Sequence, residues 1–331
     1  MFRRPYVAFA ATALLLMTGC STDPAGAPSG PAAPGSTNQG ATGGAVALVL
    51  GTSGSPFYEA MACGAKAEAS KLGIELAVSA ASQFAADQQI PVVNAVTASK
   101  PRVAVVVPTD AQALQAPLKS MVDAGIRLVT ADQTLGDPSI VDSAIVTDNL
   151  QGGAMAADEV NRLIDGKGKV LVVTQPPGST AQDQRVKGFE DTLKTHSGIT
   201  YLGPQYASND PQKVAQIITA TVAAHPDLKA VFATNDQGAI GAVNGISQAE
   251  KAGTIKLVAY DAAKAEVDAL KNGAIQALIA QNPTEEGKVA MQTAKALIDG
   301  KQVEKNQVTE LVVIRDGEND KADQYEYKGT C

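Results

Sequence analysis

Residues 46–58 read Val46-Ala47-Leu48-Val49-Leu50-Gly51-Thr52-Ser53-Gly54-Ser55-Pro56-Phe57-Tyr58. Five consecutive apolar residues predict a strand buried on both faces, because a half-exposed strand would alternate. The Gly51-x-x-Gly54 loop then opens a segment of helical period over Phe57–Leu72, which stops at Gly73. A second apolar run, Ile74–Ser79, follows. Strand, helix and strand in that order form the unit of a parallel sheet.

The same alternation continues along the chain. Further strand runs are Val103–Val107, Leu128–Ala131, Ser143–Val146, Val170–Thr174, Ile199–Leu202, Ala230–Ala233, Ile255–Tyr260, Ala277–Ala280 and Val308–Ile314. Between them, helical period is clearest over Ala111–Ala124, Leu150–Ile164, Ala181–His196, Pro211–Ala224, Gln237–Ala252 and Glu285–Asp299. Asp110, Asp210 and Asp236 are expected caps, and Gly125, Gly253 and Gly300 expected stops. Eleven strands exceed one comfortable doubly wound sheet, so the α/β chain is expected to form two such lobes.

Ligands of open parallel sheets sit beyond the carboxyl ends of the strands. The residues there are Gly51–Tyr58, Pro108-Thr109-Asp110, Asp132-Gln133, Thr147-Asp148-Asn149, Gln175–Gly178, Thr234-Asn235-Asp236, Asp261 and Gln281-Asn282. They make a ring of hydrogen-bonding groups with one aromatic pair and no His, Cys or Lys. A dinucleotide site would need a third glycine and an acid closing the second strand, which instead ends Val78-Ser79-Ala80-Ala81. No Gly-Lys-Ser/Thr occurs, so the glycines read as a turn that lets chain approach helix.

The remaining chemistry is sparse. Of 331 residues, 27 are basic and 34 acidic, giving a net charge of −7 without a basic block, which argues against nucleic acid. Two histidines, His196 and His225, fall near helix ends, where they suit the helix dipole and leave little for a metal site or a triad. Ser53, Ser55 and Ser179 lack a nucleophile elbow. No metal or cofactor is expected. Cys63 reads either as a small core residue or as the partner of Cys331 in a disulfide.

The N-terminus looks exported. Arg3 and Arg4 precede an apolar run, Val7–Met17, too short to span a bilayer, which reads as a signal peptide over residues 1–19. Leu15-Leu16-Met17-Thr18-Gly19-Cys20 resembles a bacterial lipobox and implies acylation of Cys20, hence membrane attachment through lipid. Residues 21–44 are Gly, Pro, Ala, Ser and Thr with single Asp, Asn and Gln, a composition that reads as a flexible tether. As a coil its ends would lie roughly 25–30 Å apart.

The strand-end stretches together resemble the type I periplasmic sugar-binding proteins, over about residues 45–314. The resemblance rests on Ser55-Pro56-Phe57-Tyr58, Val107-Pro108-Thr109-Asp110, Thr130-Ala131-Asp132, Thr147–Gly153, Gln184–Phe189, Val231–Asp236, Val258–Asp261 and Ile279-Ala280-Gln281. It implies that Phe57 and Tyr58 pack on the faces of a sugar ring. It implies that Asp132, Arg185, Asn235, Asp261 and Gln281 hydrogen-bond the hydroxyls, with Ser55, Gln133 and Asn209 as additional contacts. Such chemistry is apt, since sugars offer C–H faces to aromatics and adjacent hydroxyls to bidentate Asp and Arg.

Three positions depart from the ribose-binding pattern: Val107 replaces an amide, Gln133 an arginine and Asn209 an aromatic. The site so drawn has less stacking and one cation fewer, which fits a polyol, another small monosaccharide or an amino sugar. The resemblance further implies two lobes, 45–147 with 282–308 and 148–281 with 309–331, joined by a three-segment hinge near Asp148, Asn282 and Thr309. The expected protein is a monomeric, non-enzymatic binding lipoprotein that serves the permease of an ABC importer. Three alternatives come from other classes: a sensor subunit presenting ligand to a chemoreceptor or sensor kinase, a carbohydrate-acting enzyme using Asp132 and Asp261, and a transcriptional regulator, which would carry a helix-turn-helix where this chain has the signal and tether.

Overall fold

The computed structural model describes residues 46–329 and 331. The expected signal peptide, the lipid-bearing Cys20 and the tether lie outside those residues. No helix among the described residues is long and apolar enough to cross a membrane.

The first half of the chain runs β1 (Val46–Leu50), α1 (Pro56–Leu72), β2 (Leu76–Ala80), α2 (Ala86–Ser99), β3 (Val103–Val106), α3 (Gln115–Asp123), β4 (Arg127–Ala131) and β5 (Ser143–Thr147). It continues through α4 (Asn149–Leu163), β6 (Gly168–Thr174), α5 (Thr180–Leu193), β7 (Ile199–Tyr206), α6 (Pro211–Ala224), β8 (Leu228–Ala233) and α7 (Asp236–Gln248). Then come β9 (Lys256–Tyr260), α8 (Lys264–Lys271), β10 (Ala277–Ala280), α9 (Pro283–Ile298), β11 (Asn306–Thr309), β12 (Val312–Arg315) and α10 (Asn319–Tyr325).

Two six-stranded sheets result, in the orders β11-β5-β4-β3-β1-β2 and β12-β10-β9-β8-β6-β7. The two orders repeat one another. In both, the first strand of the lobe lies between the second and third, which places the topological switch, and with it a crevice, at the carboxyl ends of β1 and β3 and of β6 and β8. The central strands are mostly apolar, and β3 is fully buried at every residue. Helices on both faces explain the near-continuous apolar runs.

Helix α4 packs on α5 and on β8, β9 and β10, so it belongs to the second lobe. Helix α9 packs on α1 and on β3, β4 and β5, so it belongs to the first. The chain therefore crosses between lobes after Thr147, after Ala280 and again after Thr309. Both helix pairs meet backbone to backbone. A Cβ at Gly153 would lie 2.1 Å from Arg185 O, and one at Gly64 would lie 2.0 Å from Thr284 O. Only glycine permits those approaches.

Local readings needed correction. The run Val308–Ile314 is two strands in different lobes: β11 pairs parallel with β5, and β12 pairs antiparallel with β10. Helix α3 starts at Gln115 and not at Ala111, because Asp110 closes a preceding turn, its Oδ1 accepting from Gln112 N at 2.9 Å and Ala113 N at 2.7 Å. Asn235, not Asp236, caps α7, its Oδ1 accepting from Gly238 N at 2.9 Å. Helix α2, which carries Pro91 inside, was not anticipated, nor were the short α8 and α10. Of the two readings of Cys63, the structure has the disulfide: Cys63 on α1 is bonded to Cys331, with Cα atoms 5.2 Å apart.

Candidate functional site

The carboxyl ends of both sheets face one cavity of about 480 Å³. Every side chain that the resemblance assigns to the ligand lines it: Ser55, Phe57, Tyr58, Asp132, Gln133, Arg185, Asn209, Asn235, Asp261 and Gln281; of the other strand-end residues, Thr109, Asp110, Asp148, Asn149 and Asn282 do not. Phe84 lines it too, whereas Tyr206 is half-exposed at the end of β7 and does not.

On the first lobe, the opening turn of α1 delivers Phe57 and Tyr58. The Tyr58 hydroxyl donates to Asp132 Oδ2 at 2.9 Å, and Gln133 Nε2 donates to the same oxygen at 3.3 Å. Among the described residues, no hydrogen bond uses the other oxygen, Oδ1. The Tyr58 ring lies edge-on to Phe57, centroids 5.2 Å apart, and parallel to Phe84 at 6.3 Å. Burial pushes the Asp132 carboxyl up to about 6, against the opposing pull of Arg185 and the Tyr58 hydrogen bond.

On the second lobe, Arg185 is almost wholly buried. Its Nε donates to Asn149 Oδ1 and its Nη1 to Thr234 O, each at 2.8 Å, and the guanidinium lies 3.7 Å over the Tyr260 ring. Both acceptors are neutral, so the positive charge stays available to the cavity. Asp261 is fixed from three sides: its Oδ1 accepts from Gln281 Nε2 at 2.7 Å and from the Tyr327 hydroxyl at 3.1 Å, and its Oδ2 from Asp236 N at 3.1 Å. Asn209 Oδ1 accepts from both Gln175 Nε2 and Asn235 Nδ2 at 2.7 Å. Burial, then the nearby Asp261 charge, raises the Asp236 carboxyl to about 6.

Two of the expected contacts also tie the lobes and the crossings together. Gln281 Oε1 accepts from Thr147 Oγ1 at 2.8 Å, tying the second crossing to the first. Gln133 spans the lobes, its Oε1 accepting from Ser179 Oγ at 3.1 Å, Thr180 Oγ1 at 3.2 Å and Ala181 N at 3.0 Å, at the start of α5. Thr134 N to Thr180 Oγ1 at 2.9 Å and Ala111 N to Gly178 O at 3.0 Å extend that interlobe seam. Sequence reasoning overlooked Gln182, one helical turn before Arg185 and on the same face of α5. It also overlooked Tyr327, which comes from a tail without any periodic signal. Among the described residues, no group of three or more His, Cys, Asp or Glu is placed to hold a metal ion.

A cavity walled by strand tips from two doubly wound lobes is the arrangement of a known family, and residues 46–302 match its model, the periplasmic binding protein domain. The chain belongs to the periplasmic binding protein domain family. Within the family, it is 31% identical over 269 residues to the ribose import binding protein of Salmonella typhimurium, covering 81% of this chain and 90% of that one. Two solved structures superpose along most of the chain. One is an ABC transporter solute-binding protein from Agrobacterium vitis bound with α-D-tagatopyranose, with TM-score 0.84 and 36% identity, covering 86% of this chain and 99% of that one. The other is a carbohydrate transporter solute-binding protein from Agrobacterium radiobacter in complex with D-arabinose, with TM-score 0.82 and 26% identity, covering 86% and 99%.

Proposed function

We propose that this chain is an extracytoplasmic solute-binding lipoprotein that captures a small sugar or polyol, an amino sugar included, between its lobes and delivers it to an ABC importer. The observation that carries the reading is the convergence of four buried side chains, Asp132 from one lobe and Arg185, Asn235 and Asp261 from the other, on one cavity. Those groups are held by protein partners before any ligand enters, so little ordering remains to oppose binding. A polyhydroxylated molecule satisfies the free Asp132 oxygen, the Arg185 charge and the polar rim, and the rings of Phe57, Tyr58 and Phe84 accept its C–H faces. The named ligands of the relatives, ribose, tagatose and arabinose, support that class.

Transport follows from the three crossings. A ligand touching both lobes binds the closed arrangement only, so it shifts the open–closed equilibrium toward closure. Hinge closure around ligand is an established mode of periplasmic binding proteins. The closed form then docks on a permease, and the lipid on Cys20 keeps the carrier at the membrane. The binding role requires no group that transfers a bond, and among the described residues the cavity lining holds no His, Cys or Lys.

A thermal-shift screen against pentoses, hexoses, polyols and amino sugars tests the reading, since a ligand of the native state raises its melting temperature. At least one of these compounds is expected to raise it, and the compound should be recovered unaltered. A flat response across all four classes contradicts the proposal. Radiolabelled palmitate on wild type, absent from Cys20→Ala, tests the anchor; equal labelling refutes it.

A further inference from the structure

We propose that the C-terminal tail is a fourth, covalent crossing between the lobes, closed by the Cys63–Cys331 disulfide, which limits how far the unliganded cleft opens. The inference does not rest on the identity of the ligand.

The tail starts firmly on the second lobe. Helix α10 packs against α8, and an ion pair between Lys271 and Asp323 joins them. Tyr327 N donates to Ala262 O at 3.0 Å, beside Asp261. Four residues later comes Cys331, bonded to Cys63 in the middle of α1 on the first lobe. The distance from Tyr327 to Cys331 is therefore capped at roughly 14 Å, the fully extended length of four residues.

Tyr327 sits where this strap meets the cavity wall. Its ring is buried edge-on against Phe57 of the first lobe, centroids 5.7 Å apart. Its hydroxyl donates to Asp261 Oδ1 of the second lobe at 3.1 Å and accepts from Gln281 N, on the second crossing, at 3.3 Å. Opening the lobes must strip Tyr327 from one of these partners and draw the tail taut. The three peptide crossings alone impose neither cost. The disulfide keeps the end of the strap from simply detaching, and Lys328, Gly329 and Cys331 are exposed, so a reductant reaches the bond in the folded protein.

Small-angle X-ray scattering on the unliganded full chain tests this with four samples: oxidised wild type, wild type reduced by a phosphine, Cys63→Ser with Cys331→Ser, and a variant with four Gly/Ser residues inserted after Lys328. Peptide mapping verifies the state of the disulfide. The insertion keeps the disulfide and changes only exposed tail, so it stays informative if the double serine variant fails to fold. The expected result is a larger radius of gyration for the reduced protein and for the lengthened tail than for oxidised wild type. Equal radii for all samples overturn the proposal. An increase on reduction without one on lengthening also overturns it, because the bond would then act on stability and not as a tether.

Discussion

Asp132 and Asp261 hold the same backbone station in the two lobes. Each directly follows the strand third from its sheet's edge, β4 or β9, at positive φ, +60° and +90°. Each donates its N–H to the neighbouring strand, to Ile145 O and to Ile279 O, both at 2.9 Å. A non-glycine residue there costs about 1–3 kcal/mol and persists where surrounding structure fixes it. The left-handed turn swings each carboxylate off the strand end and into the shared cavity, where Arg185 is the one basic side chain on the wall among the described residues.

Replacing Asp261 or Arg185 should therefore be costly. Asp261→Ala strands the Tyr327 hydroxyl, the Gln281 amide and the Asp236 N–H without their acceptor. Arg185→Ala leaves Asp132 and Asp261 facing the cavity without a cation. Each is expected to lose about 2–5 kcal/mol of ligand binding. Calorimetry with a hit from the screen checks this; unchanged affinity in both variants would remove them from the site.

Acid should stabilise the empty protein while weakening its grip on ligand. Unfolded, Asp132 and Asp236 ionise near the ordinary aspartate value; folded, burial raises both to about 6. A raised carboxyl binds protons more tightly in the fold, so its stabilising effect is complete below about pH 4 and is lost as pH rises through about 6. Burial also holds Glu266 and Glu286 well above the usual carboxylate range, with the same sign. Melting temperatures of unliganded wild type should fall between pH 4.5 and 7, and fall less in Asp132→Asn. Superimposable curves would contradict the assignment. Because a ligand hydroxyl donates to ionised Asp132, affinity should decline below about pH 6.

The Gln133 amide joins the lobes, and its loss should favour opening. Gln133→Leu keeps the bulk but leaves Ser179, Thr180 and Ala181 without their shared acceptor. The closed form should lose about 1–3 kcal/mol, seen as weaker ligand binding and a larger unliganded radius of gyration. Gln133→Glu keeps the acceptor oxygen for α5 but sets a second carboxylate against Asp132 in place of the Nε2 donor, so it should hold the radius closer to wild type than Gln133→Leu does while still weakening ligand binding. Identical affinity and radius in wild type and Gln133→Leu would show that the seam contributes nothing.

Gly153→Ala tests how the fold positions Arg185. The added methyl meets the Arg185 carbonyl at 2.1 Å and Phe189 N at 2.8 Å, both backbone atoms that no rotamer change can move aside. Helices α4 and α5 must separate, at a cost of about 1–3 kcal/mol or more in stability, and Arg185 is drawn off Asn149 and Thr234. Chemical denaturation and calorimetry should both register the loss. A variant of wild-type stability would mean that the helices do not meet this closely.

Much of this architecture was legible in the chain because doubly covered strands leave little else to read. Val103–Val106 admits one interpretation, and the strand-end rule then points at Asp132, Asn235 and Asp261 before any coordinates. The split of Val308–Ile314 was not legible, since the chain passes from one sheet to the other through Glu310-Leu311 without a glycine or proline to punctuate it. Helix α2 hid behind Pro91 and a polar first turn. The site residues were found by type, but not their internal commitments. Gln133 and Gln281 serve lobe-spanning and crossing contacts, and those partners lie 46 to 134 residues away in sequence. Tyr327 acts from a tail whose placement depends on a disulfide that composition left open.

Isothermal titration of the screen's best compound into wild type and into Asp261→Ala tests the central claim most directly. One molecule should bind per wild-type chain, with the heat abolished or the affinity reduced at least tenfold in the variant, as about 1.4 kcal/mol or more is lost. Binding of equal strength to both proteins would place the ligand somewhere other than between the lobes.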